Sequence, residues 1–253
     1  MTYAERCLSK FPKARQSLPP EIARIYVAHY KQNRAGGTPA TSLSQKMESW
    51  LHRQVAADVR FDPSNKTTLE IGAGTLNQLL HEPHVGPYDI VEPFGELYKG
   101  SGLLSRIRNM YTDIREISQH EQYDRITSIA TFEHVCNLPE LIARSGLLLK
   151  REGAFRVAIP SEGTFLWTLG WKLTTGREFR IKYGLDYGLL IKHEHVNSAE
   201  EIENLLRYFF QEVRGKVFGL SRRFSLYQFY ACTSPVTGKC REYLTEVDNC
   251  DVR

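Results

Sequence analysis

The chain has 253 residues and a mass of 29.1 kDa, with 42% hydrophobic and 25% charged residues and a net charge of +4. This is ordinary for a soluble globular protein and long enough for one large domain with a small appendage. The five cysteines, Cys7, Cys136, Cys232, Cys240 and Cys250, form no C-x-x-C pair, which excludes zinc-ribbon spacing and argues for reduced thiols over a disulfide framework.

The charge is uneven. Residues 1–60 carry ten Lys/Arg against four Asp/Glu, a net +6, and the remainder is −2. A basic N-terminal region suits an anionic substrate, an acidic partner or a membrane surface, or is simply a solvated helical face. Met1 to Arg6 carries no apolar core behind a basic start, so no secretory signal is expected. Thr164 to Leu173 is about half a membrane span and is broken by Gly170, so no transmembrane segment is expected and the chain reads as cytoplasmic.

Residues 1–60 read as helical. Pro19-Pro20 opens a segment over 21–33 with Ile22, Ile25, Tyr26, His29 and Tyr30 at helical spacing; 35–39 breaks it; a second helix carries Met47, Trp50, Leu51, Val55 and Val59 on one side. From Lys66 strands alternate with helices. Strands are expected near 67–71, 88–92, 107–112, 123–130, 153–159, 209–218 and 225–233, and helices over 76–82, 96–104, 138–149 and 198–208. Such alternation predicts a parallel sheet covered on both faces. The last two runs are joined by only Gly219–Arg223, which favours a hairpin and hence one antiparallel strand. The expected fold class is α/β: a Rossmann-like, seven-stranded, mostly parallel sheet with one antiparallel strand, helices on both faces and an N-terminal helical extension. Residues 161–197 break the alternation and are rich in aromatic and basic side chains, as substrate-side insertions are.

The most informative stretch is Thr67-Thr68-Leu69-Glu70-Ile71-Gly72-Ala73-Gly74-Thr75, a strand running into a glycine turn. Glu92 follows Gly74 by 18 residues, at the end of the run Tyr88–Glu92. Strand, glycine turn, strand and terminal carboxylate describe a nucleotide-type site at the carboxyl edge of a parallel sheet. A dinucleotide site wants G-x-G-x-x-G, and its third position is Asn77 here. Glu70, just before the turn, would repel phosphates but would pair with a cationic ligand.

Leu69–Gly74 resembles the first motif of class I S-adenosylmethionine-dependent methyltransferases. Four further motifs follow in that family's order: Glu92, Asp113 in Tyr111–Ile114, the fourth-strand run Tyr123–Val135 ending Glu133-His134-Val135, and Leu147–Phe155 at the entry to the fifth strand. The resemblance covers residues 66–160. Two positions depart from it: Leu76 stands where a third glycine is common, and Arg151-Glu152 replaces Pro-Gly. The resemblance implies S-adenosylmethionine as cofactor, held by Glu70, Gly72, Ala73, Gly74, Glu92, Pro93, Asp113, Ile114, Ala130 and Thr131. Glu92 would bind the ribose hydroxyls and Asp113 would lie toward the adenine. With the pattern breaks of the chain, the expected organisation is a methyltransferase domain over 63–234 with its insertion at 161–197, preceded by a helical lid or extension over 1–62 and followed by a flexible polar tail over 235–253.

Methyl transfer needs the nucleophile positioned and, for a hydroxyl, a proton removed. His134, after the fourth strand, and His193 and His195, in Lys192–Asn197, are the candidate catalytic residues. His193 and His195 have ligand-like spacing, but no remote third ligand stands out, so no metal is expected. The N-terminal helices, the Gly-Ala-Gly-Thr-Leu-Asn turn and the Lys192–Asn197 box are together similar to small-molecule methyltransferases found with bacterial surface-polysaccharide genes. That weaker resemblance implies a sugar or nucleotide-sugar acceptor, bound by Tyr30, Trp50, Arg177, Arg180 and Asn197, with the basic insertion facing an anionic handle. Nucleic-acid methylation is disfavoured by the modest charge and the lack of an Asn-Pro-Pro-Tyr-type box; a dinucleotide oxidoreductase by Glu70 and Asn77; a non-catalytic scaffold by the intact turn and Glu92. A homodimer stays open.

Overall fold

A computed structural model describes residues 3–26, 39–60, 65–83 and 85–251. Its elements are α1 (Tyr3–Leu8), α2 (20–26), α3 (Pro39–Arg60), β1 (Thr68–Ile71), β2 (Tyr88–Val91), β3 (Asn109–Tyr111), β4 (Tyr123–Ile129), α4 (Leu138–Leu148), β5 (Leu149–Pro160), α5 (Phe165–Leu173), α6 (Thr175–Tyr183), α7 (Tyr187–Glu194), α8 (Ala199–Phe209), β6 (Phe210–Gly219), β7 (Ser225–Pro235) and α9 (Thr237–Asp251).

The apolar runs form one seven-stranded sheet in the order β3-β2-β1-β4-β5-β7-β6. β1 to β5 pair in parallel, and β7 lies antiparallel to both β5 and β6. This is the expected fold class. Every residue of β1 and β2 is buried, as befits central strands covered on both faces. β5 starts earlier than expected, at Leu149, because a register shift between Tyr123 and Arg125 lets 149–153 continue the strand.

One face packs Leu69, Ile71, Ile126, Phe155 and Val157 against α4 and α8. α8 buries Ile202, Leu205, Leu206 and Phe209 at helical spacing and begins with a capping box between Ser198 and Glu201. α3 covers part of the other face, where its Leu51 and Val55 meet Ile129, Ala158, Tyr227 and Phe229. A buried ionic net pins this helix. Arg125, on β4, pairs with Asp58 at 3.0 Å and Glu82 at 2.7 Å and donates to the Val55 carbonyl at 2.8 Å. Arg156 donates to the carbonyls of Val55 and Gln54. The second half of α3 is thus a fixed part of the wall. The insertion folds as α5, α6 and α7, and Phe179 and Leu190 share a small core with Ile22 of α2.

Three expectations are corrected. The helix expected over 76–82 is a single 3-10 turn, Asn77–Leu80, because Leu76 adopts a left-handed conformation (φ +65°) in front of it and Pro83 follows soon after. The helix expected over 96–104 is reduced to 3-10 turns at Gly95–Leu97 and Leu104–Arg106, with Gly100 and Gly102 between them. The expected loose tail is helix α9. Its Cys240 and Leu244, one turn apart, are buried against the main core, where α9 packs on α4.

Candidate functional site

The sheet order reverses direction between β1 and β4, so the loops after their carboxyl ends frame a crevice. After β1 the chain turns sharply: Gly72 (φ +72°), Gly74 (φ +52°) and Leu76 are all left-handed. Gly72 donates to the Val91 carbonyl at 2.8 Å, locking the turn to β2. A Cβ on Gly72 would sit 2.2 Å from Thr131 Oγ1, so the β1 and β4 loops touch at this point.

Glu92 organises the other wall. It is 5% exposed. Its Oε2 accepts from the Gly74 amide at 2.8 Å and its Oε1 from the Phe94 amide at 2.9 Å. Each carboxylate oxygen keeps a further lone pair for a hydroxyl donor. Ala73 is buried, while Pro93 and Phe94 are exposed beside Glu92. Glu70 lies beneath the turn, 2% exposed, accepting from the Tyr88 hydroxyl at 2.8 Å. Burial, with a smaller contribution from Glu82, outweighs that hydrogen bond and pushes its carboxyl up to about 8. Asp113 accepts from the Arg115 amide at 2.8 Å, capping a short turn, and pairs with the Arg115 guanidinium, which lowers its pKa. Ile114 behind it is buried. Ala130, at the end of β4, holds φ +48°, a strained value for a residue with a Cβ.

Beyond β4 the loop carries Glu133 and His134, and the segment after α7 comes alongside. Val196 and Asn197 donate their amides to the Glu133 carbonyl. This clamp brings His134 and His195 to a ring-centroid separation of 4.9 Å. His134 Nδ1 lies 2.9 Å from the Glu194 carbonyl, and His195 Nδ1 lies 2.6 Å from Glu162 Oε2. Glu162 also accepts from the Trp167 indole at 2.7 Å. Ligand atoms of Glu133, His134 and His195 all lie within 4.8 Å of one another. Burial opposes protonation of His134, but its hydrogen bond to Glu194 and the Glu133 carboxylate outweigh that and raise its pKa. Burial likewise opposes ionisation of Glu194, yet hydrogen bonds from His134 and Tyr26 and the Arg15 charge bring it down to about 2.

The expected residues divide clearly. His134 and His195 come together. His193 does not join them: its Nδ1 lies 2.6 Å from the Gln16 carbonyl and its ring meets Tyr26 edge-on. Asn197 is 1% exposed and donates to the carbonyls of Phe132 and Val135, so it clamps the Glu133 turn where an acceptor contact was expected. Trp50 packs on Phe218 in the cluster that holds Ile129, Tyr227 and Trp167. Trp167 in turn stacks on His195, giving an aromatic wall beside the histidines. Arg177 and Arg180 are exposed on α6. Tyr30 lies outside the described residues. The sequence assigns no role to Glu133 or Glu194, although both stand in the quoted Glu-His-Val and Lys192–Asn197 runs, and no local motif marks Glu162.

No protein-family model matches the chain, and no curated protein does. Solved structures do match. The plantazolicin methyltransferase BpumL, in complex with a monoazolic desmethylPZN analogue and SAH, is 14% identical over 91% of this chain and 97% of its own, with a TM-score of 0.59. An S-adenosylmethionine-dependent methyltransferase of Thermotoga maritima, described as a possible histamine N-methyltransferase, is 16% identical over 84% and 97%, with a TM-score of 0.54. An O-methyltransferase family protein from Burkholderia thailandensis is 13% identical over 91% and 68%, with a TM-score of 0.54. The chain therefore has the fold of class I methyltransferases.

Proposed function

We propose that the protein is an S-adenosylmethionine-dependent methyltransferase acting on a hydroxyl or amine of a small molecule. The observation that carries this reading is Glu92: a buried carboxylate that bridges the Gly74 and Phe94 amides at the point where the sheet order reverses, with lone pairs left for two ribose hydroxyls. The turn suits such a cofactor better than a pyrophosphate, since Asn77 stands at the third glycine of the dinucleotide pattern and only a 3-10 turn, Asn77–Leu80, follows where a dinucleotide would need the N-terminus of a helix. Glu92, the Gly72–Gly74 turn and the Asp113–Ile114 loop would hold it, with Ala130 and Thr131 facing it from β4. When bound, the cofactor supplies an electrophilic methyl group on a sulfonium.

The chain's own residues do the rest. The aromatic wall of Trp50, Trp167 and Tyr227 shields the acceptor side from water. His134 and His195, each held through Nδ1, handle the proton at the acceptor atom. The basic surface of α6, with Arg177 and Arg180, supports an anionic acceptor, and we favour a sugar or nucleotide-sugar. Residues 63–234 would form the catalytic domain, with 1–62 and the insertion closing the acceptor side. Among the described residues no helix is long and apolar enough to cross a membrane.

The test is transfer of labelled methyl from S-adenosylmethionine to a panel of nucleotide-sugars, free sugars, phenols, amines and tRNA. Label in a nucleotide-sugar or sugar is expected. Label only in tRNA would replace the acceptor assignment with the nucleic-acid alternative, and reduction of NAD by a panel substrate with no label transferred would replace the reaction.

A further inference from the structure

We propose that Glu133, His134 and His195 form a binding site for a divalent transition-metal ion at the acceptor end of the crevice. Its role rests on the methyltransferase reading, but its existence does not.

The residues come from two segments about sixty positions apart, joined by the amide clamp of Val196 and Asn197 on the Glu133 carbonyl. Their ligand atoms already lie within 4.8 Å of one another. Ligands about 2.0–2.2 Å from one ion stand roughly 3.3 Å apart, so side-chain rotations of about an ångström close the set.

The surroundings settle which atoms face the ion. His134 Nδ1 meets a backbone carbonyl, that of Glu194, and a carbonyl can only accept. His195 Nδ1 meets the Glu162 carboxylate. Both Nδ1 atoms therefore carry a proton toward those oxygens, and each Nε2 is the atom whose lone pair a metal would take, displacing any proton held there. His134 Nε2 already points at Glu133, with Oε1 at 3.7 Å. A carboxylate or carbonyl behind each ligating imidazole is the usual supporting shell of a metal site. Glu162 is itself anchored by the Trp167 indole, and Glu194 by Tyr26 and Arg15.

Glu133 is the independent observation. It is 2% exposed, and its Oε2 has no hydrogen-bond partner among the described residues. An orphaned carboxylate oxygen is costly to bury unless a cation sits against it. Two imidazoles and one carboxylate select zinc, manganese, iron(II) or cobalt over magnesium and calcium, which prefer all-oxygen sets. Three protein ligands leave positions open for an acceptor hydroxyl. With the ion bound, the two imidazoles serve as ligands in place of bases, and a hydroxyl ligated there would give its proton to water at a lower pH, its electron pair staying on the oxygen.

The probe is Co2+ titrated into the metal-free full chain without cofactor, followed by visible ligand-field bands and by calorimetry, with Mg2+ as the contrast. One equivalent of Co2+ is expected, displaced by Zn2+, with Mg2+ at least tenfold weaker. His195→Ala and the isosteric Glu133→Gln should abolish the bands, and His193→Ala should leave them unchanged, each variant being checked for a native circular dichroism spectrum. Absence of Co2+ binding by the wild type overturns the site, as does binding that survives in His195→Ala and Glu133→Gln or disappears in His193→Ala. S-adenosylhomocysteine binding is measured on the same samples. Its loss with Co2+ binding intact would sink the methyltransferase reading and leave the metal site standing.

Discussion

Glu70→Gln is expected to remove a loss of stability that the wild-type chain suffers as pH rises. Glu70 is buried under the turn after β1, with one donor, Tyr88, on its carboxylate. Burial is the main cause that lifts its pKa from 4.5 to about 8. Between these values the folded state keeps a proton that the unfolded chain has released. This contribution is therefore fully present below pH 4.5 and falls away as pH rises toward 8. At about 1.4 kcal/mol per pH unit, the loss is about 3 kcal/mol by pH 7 and approaches about 5 kcal/mol above the folded value. That is a large share of the about 5–15 kcal/mol that holds a typical domain together. Glutamine keeps the shape and the acceptor for Tyr88 but does not titrate. Glu133, also raised by burial, pulls in the same direction, so the difference between wild type and variant isolates Glu70. Urea unfolding at several pH values, with slopes compared, measures it. Relative to the variant, the wild type should lose about 3 kcal/mol between pH 5 and 7.5. Parallel profiles would refute the assignment of a buried, protonated Glu70.

Arg125→Ala should cost about 3–5 kcal/mol, because it strands the Glu82 charge and leaves Asp58 only its pair with Arg156 inside the α3 interface, and adding Glu82→Gln should recover part of that in the same unfolding assay. Gly72→Ala should cost at least about 1 kcal/mol from the left-handed backbone alone, and more from the 2.2 Å approach to Thr131 Oγ1; adding Thr131→Gly should restore much of the excess. Truncation after Val236 removes α9, uncovers the face against which Cys240 and Leu244 pack, and should lower the thermal midpoint by several degrees.

The strands were legible because central parallel strands are continuous apolar runs, and the β6–β7 hairpin because its link is too short for a crossover. α9 was not, because its few buried residues, Cys240 and Leu244, are diluted by a charged surface. The helix expected after the glycine turn failed on the backbone of Leu76, whose left-handed φ no side-chain pattern announces. In the site, Glu92 was legible from its place at a strand end, since topology alone carries it to the turn. The partners of the histidines were not. Glu162 follows β5, Glu194 ends α7 and Tyr26 belongs to α2, and only the packing of the insertion brings them together. The Arg125 net was equally hidden, because a buried arginine in a strand looks like a surface charge until Glu82 and Asp58 are seen around it.

The most direct measurement is calorimetric titration of the wild type and of Glu92→Ala with S-adenosylhomocysteine, beside NAD. Micromolar binding of S-adenosylhomocysteine to the wild type, none of NAD, and loss of binding in Glu92→Ala are expected. Binding of NAD alone, or an unchanged affinity in Glu92→Ala, would contradict the methyltransferase reading.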